Sequence, residues 1–100
     1  MIVVQVEVMV EPGSAAKVVD AVRAMETATR QESGCLKYAF SVDVTDPGIV
    51  RVAERWESLD AIKAHMASPH MADFNKAVMA LQPKGVDIKA YEVAREVSLR

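Results

Sequence analysis

One hundred residues, 51% hydrophobic and 26% charged, describe an ordinary folded chain with no tract biased toward disorder. A net charge of −2 and a pI near 5.6 leave no concentrated basic face, which argues against nucleic acid as a partner. The single cysteine, Cys35, has no internal partner, which excludes a disulfide framework and the usual CxxC zinc or thioredoxin-like sites.

Residues 2–10 put Val4, Val6, Val8 and Val10 on one face and Val3, Gln5, Glu7 and Met9 on the other. That period of two predicts a strand. Gln5 and Glu7 interrupt the apolar run and no basic segment precedes it, so neither a signal peptide nor a membrane span is expected. A cytoplasmic location follows as the default. Glu11-Pro12-Gly13-Ser14 then ends the strand, with Ser14 the expected N-cap of a helix from Ala15 to about Gln31. Val18, Val22, Met25 and Thr29 recur there at helical spacing, and Ser33-Gly34 stops it.

Residues 35–45 alternate again, with Leu36, Tyr38, Phe40, Val42 and Val44 on one face. Asp46-Pro47-Gly48 supplies a tight turn, and residues 49–57 return with Val50, Val52, Glu54 and Trp56 aligned, completing a hairpin. Ser58 is placed to cap a helix over 59–67. Ser68-Pro69 opens a third helical piece over 70–82, Pro83-Lys84-Gly85 ends it, and 86–99 is strand-like. The order β-α-β-β-α-(α)-β predicts one α+β domain over 1–100. Its plan is the ferredoxin-like split βαβ, a four-stranded antiparallel sheet with helices on one face. The first strand carries Val3 and Met9 on its other face, and two sheets packed face to face in a homodimer would cover both.

The rarest side chains concentrate between Val52 and Phe74, which holds Trp56, His65, His70 and Phe74. His65 and His70 are the only side chains whose ordinary pKa lies near neutrality. Ala61 lies one turn before His65, and an apolar wall around that face would keep the imidazole a usable base. Trp56, on an otherwise apolar strand face, reads as core or as a planar wall for an aromatic ligand. Glu54 on that face needs a partner: a histidine, Arg51 or Arg55 of a neighbouring strand, or a group across a dimer. His70 follows Pro69 at a helix start and reads as a capping or surface residue, or as an assistant in proton movement. Two histidines five apart across a proline are not an i,i+4 metal pair, and no HExxH is present, so no metal is expected. Tyr38 and Phe40 share a face that can shape a pocket, with Met66 and Met71 as adaptable wall.

Glu32-Ser-Gly-Cys35-Leu-Lys-Tyr38-x-Phe40, Asp46-Pro47-Gly48, Glu54-Arg-Trp56-Glu57, Ala61-x-x-x-His65, Ser68-Pro-His70 and Phe74 together resemble the antibiotic biosynthesis monooxygenase (ABM) domain family. The likeness is to its single-domain, quinol-monooxygenase-like members. It covers nearly the whole chain and implies a dimeric α/β barrel with a pocket between sheet and helices. It also implies oxidation of phenols or quinols by O2 without metal, flavin or haem. Haem-degrading relatives of the fold use an Asn on the first strand and a Trp and a His in the second helical region. Here those positions carry Gln5, His65 and Asn75, so the haem set is missing. The reaction implied is a cofactor-independent monooxygenase with His65 as catalytic base. Trp56, Tyr38, Phe40, His70, Glu54, Met66 and Phe74 would contact a small aromatic substrate. A dimeric module that only binds or scavenges a small molecule, or an isomerase or lyase on the same barrel, are the alternatives.

Overall fold

The computed structural model describes all residues, Met1–Arg100. Strands β1 (Ile2–Met9), β2 (Cys35–Val42), β3 (Ile49–Trp56) and β4 (Gly85–Glu92) alternate with helices α1 (Val19–Arg30), α2 (Leu59–Met66) and α3 (Pro69–Met79). The sheet order is β2-β3-β1-β4 and every neighbouring pair is antiparallel. This is the α+β ferredoxin-like fold that the element order predicted.

Register arranges the face toward the helices in rows. Ala90, Val4, Glu54 and Tyr38 form one row across the four strands, and Ile88, Val6, Val52 and Phe40 form the next. Side chains on one face of a sheet line up this way because successive residues point to opposite sides. The buried core of Val4, Met25, Tyr38, Val52 and Trp56 lies on this face, with Ile62, Met71 and Phe74 packed against it. Helix α1 packs on β2 and α3, and α2 on β3, so the helices cover one half of the sheet. Over β4 the same face is open: Ile88 is 63% exposed.

Strand β2 is a sheet edge, and α1 closes part of it. Glu26 accepts the Phe40 N–H at 2.9 Å, and Arg30 Nε donates to the Tyr38 carbonyl at 2.9 Å. Occupied backbone groups cannot template another strand.

Four boundaries differ from the sequence reading by three residues or more, one being the end of α3, at Met79 where the pattern ran to 82. Ser14 is no N-cap. It begins a short 3-10 helix, Ser14–Val18, preceded by Gly13 at φ +90°, and α1 starts only at Val19 without a side-chain cap. Strand β2 stops at Val42 because the Asp43 carboxylate accepts the N–H groups of Thr45 and Asp46, at 2.8 and 3.0 Å, and turns the chain. Strand β4 stops at Glu92, level with Ile2 of β1, and only the Val93 N–H makes a further bond, to the Met1 carbonyl at 2.9 Å.

Candidate active site

A cavity of about 1000 Å³ lies between the sheet and the helices. Tyr38, Phe40, Glu54, His65, Met66 and Phe74 all line it, as do valines of β1 and Val86 and Ile88 of β4. Apart from Ser41, Glu54, His65 and Asn75, its lining is apolar or aromatic. That composition suits a small, largely apolar ligand fixed by a few polar groups.

Trp56 and His70 stand elsewhere. Trp56 is fully buried, outside the cavity lining, with its ring centroid 4.8 Å from that of His65. Its indole N–H donates to Glu54 Oε1 at 2.9 Å. The indole therefore backs the site and is not a wall for substrate. Glu54, with an exposure of 8%, thus finds its partner two residues along its own strand. Arg51, one expected partner, pairs instead with Glu7 and Asp43 on the opposite face. Burial pushes the Glu54 carboxyl above the ordinary range, and the Trp56 hydrogen bond partly offsets that. The Tyr38 phenol is pushed well up by burial and by the nearby Glu54 and Glu32. It makes no hydrogen bond within the chain, so its hydroxyl is free for a ligand.

His65, only 2% exposed, is held from behind. Its Nδ1 faces Glu32 Oε1 at 3.1 Å, and the same oxygen meets His70 Nε2. With Nδ1 donating to this carboxylate, the His65 Nε2 is left as an acceptor, and no group of the chain occupies it. Tyr38 lies edge-on to the ring at a centroid distance of 5.3 Å.

Local sequence explains this convergence. The Ser68 hydroxyl donates to the His65 carbonyl at 2.6 Å and accepts the Met71 N–H, joining the end of α2 to the start of α3. Pro69 sits at the first turn of α3, where its missing N–H costs nothing. The break reorients the chain, so two histidines that one continuous helix would splay apart both reach Glu32. Gly34, at φ +84°, brings the Glu32 loop against α2: a Cβ there would lie 2.7 Å from the Ala61 Cβ. Glu32 is the residue that sequence reasoning about the site missed. Its signal was its place at the head of the Glu-x-Gly-Cys-Leu-x-Tyr series.

Residues 1–77 match the family described as Antibiotic biosynthesis monooxygenase. The chain belongs to this family. It is 30% identical over 88 residues to Escherichia coli YgiN, named a probable quinol monooxygenase, covering 78% of this chain and 85% of YgiN. It is also 30% identical over 71 residues to the uncharacterized protein sll1783 of Synechocystis, covering 71% of this chain and about half (48%) of that longer relative. A crystal structure from Deinococcus radiodurans superposes with a TM-score of 0.91 at 29% identity, over 100% of this chain and 99% of that one. Rv0793 from Mycobacterium tuberculosis follows with 0.84 at 27%, over 97% and 98% of the two chains. No helix of this ABM-family protein is long and apolar enough to cross a membrane.

Proposed function

We propose that this ABM-family chain is a cofactor-independent monooxygenase that oxidises a small phenolic or quinol-type aromatic with O2. One observation carries the reading: a largely apolar cavity is lined by His65, whose Nδ1 is held by a carboxylate and whose Nε2 has no partner within the chain. His65 Nε2 accepts the phenolic proton, and Glu32 holds the ring in the required tautomer. Deprotonation raises electron density in the ring, so O2 can take an electron and combine with a ring carbon. A quinol supplies both electrons itself. One oxygen atom enters the ring, the other leaves as water, and the product is a hydroxyquinone.

Phe40 and Phe74, with ring centroids 5.2 Å apart, and Met66 shape the apolar wall. They exclude water from the peroxide that precedes product. Tyr38 and Glu54 offer the substrate oxygens polar contacts. Trp56 and His70 act one layer back, through Glu54 and Glu32. The likeness to YgiN supports the quinol class.

Oxygen uptake with a panel of hydroquinones tests the reading. The His65→Ala variant is expected to lose about 10²–10⁴-fold of turnover. Undiminished uptake in that variant removes His65 from the mechanism. Ligand retention without oxygen uptake would instead identify a binding module, and product formed anaerobically an isomerase or lyase. We also place the chain in a homodimer, with the sheet face carrying Val3 and Met9 against a second copy, and light scattering in solution checks this.

A further inference from the structure

We propose that Glu32, His65 and His70 form a binding site for one divalent transition-metal ion of the zinc class, lying behind the cavity wall, and that its occupancy switches His65 off as a base. The three candidate ligand atoms, Glu32 Oε1, His65 Nδ1 and His70 Nε2, all lie within 4.8 Å of one another. Small side-chain rotations bring each to the roughly 2.0–2.2 Å at which zinc takes imidazole nitrogen and carboxylate oxygen. Two imidazoles and one carboxylate are the ligand set of zinc and its first-row neighbours, whereas calcium and magnesium require oxygen.

The site is open on one side. His65 is buried, but the Glu32 and His70 side chains keep 17% and 27% of their surface. An ion can enter past His70, and a water can fill the fourth position that three protein ligands leave free.

The consequence for His65 follows from imidazole chemistry. A metal on Nδ1 takes that lone pair, and the ring proton of the neutral imidazole moves to Nε2. No proton is lost. Toward the cavity, Nε2 then becomes a donor and cannot accept a phenolic proton. This second half rests on the base role proposed above; metal binding itself does not.

The test is titration of the chelator-treated full chain with Zn²⁺ by calorimetry and with Co²⁺ by visible absorption. One ion per chain is expected, with a Co²⁺ band of four-coordinate intensity. Glu32→Gln and His70→Ala should each weaken binding by roughly 10–100-fold, and Cys35→Ser should not. His70 is partly exposed, so its variant keeps the fold, which circular dichroism verifies. Uptake that never saturates, or that both ligand variants leave unchanged, overturns the site. Nitrogen-15 spectra of the zinc-loaded chain should show His65 protonated on Nε2, and a bare Nε2 overturns the switch. These readouts need no substrate. Zinc bound with no oxygen uptake under any condition would therefore reject the oxygenase reading alone. Unslowed uptake by the zinc-loaded chain, where His65→Ala abolishes uptake, would reject the switch; where His65→Ala also leaves uptake unchanged, the base role itself falls.

Discussion

The half of the sheet formed by β2 and β3 and the half ending in β4 share the same period-two alternation but finish in opposite conditions. Tyr38, Val52, Glu54 and Trp56 are all buried, and polar groups among them are paired or aimed into the cavity. Every residue of β4 after Gly85 is exposed, including Val86 and Ile88 on the face that continues the cavity lining. Alternation thus sets which way a side chain points, while helices decide whether anything meets it. The covered half holds an imidazole at fixed geometry. The open half leaves apolar side chains of the cavity lining exposed.

The sharpest way to break this contrast is to truncate one residue in each half. Trp56→Ala removes a fully buried indole and leaves Glu54 without its donor, so a loss of about 3–5 kcal/mol is expected. Ile88→Ala, at an exposed position, should stay within about 0.5 kcal/mol. Urea unfolding of the two variants measures both, and equal losses would erase the distinction.

Gly34→Ala probes how the covered half is held together. Both the positive φ and the clash with Ala61 oppose a side chain, so a cost of about 1–3 kcal/mol is expected. Ala61 sits one turn before His65, so the displacement also pulls His65 from Glu32 and lowers turnover. Adding Ala61→Gly removes the clash and should restore part of both losses. A double variant no better than Gly34→Ala would show that backbone conformation alone is at fault.

The two halves were not equally legible in the sequence. Alternation at 2–10, 35–45 and 49–57, with Ser58, Ser68-Pro69 and Asp46-Pro47-Gly48, sufficed for the ferredoxin-like order, because periodicity and caps are local. Ser14 misled because Gly13 takes the left-handed conformation that starts a 3-10 turn. The site was half visible. His65 and the aromatic residues stood out as rare side chains on apolar faces. Glu32 did not, since it lies in a loop 33 and 38 residues from the histidines it joins. The reading of His70 placed it at the start of a separate helix, as it is, but local pattern could not show that the Ser68 turn brings its ring onto the Glu32 oxygen that His65 also meets.

Thr29 tests the packing under α1 at a smaller scale. Its hydroxyl is buried with no hydrogen-bond partner, although the residue is fully enclosed. An unpaired buried polar group costs about 1–3 kcal/mol, and valine has the same shape. Thr29→Val is therefore expected to stabilise the chain by about 1 kcal/mol, read from the denaturation midpoint. A loss would mean that the hydroxyl finds a partner in solution, such as a bound water.

The subtlest distinction concerns Glu54, whose carboxyl burial pushes up. A carboxyl with a raised folded-state pKa favours folding fully below its unfolded pKa, about 4.3, and loses that contribution as pH rises through the folded value. Ionised Glu54 is thus a burden at neutral pH that an uncharged amide would not carry. A glutamine in its place still offers an oxygen to the Trp56 indole. The Tm of Glu54→Gln minus that of the native chain should therefore increase from pH 4 to pH 7. The open half supplies the control, because Asp87→Asn on β4 removes an exposed carboxylate paired only with Lys89. If both differences follow the same pH course, burial does not set the Glu54 carboxyl apart.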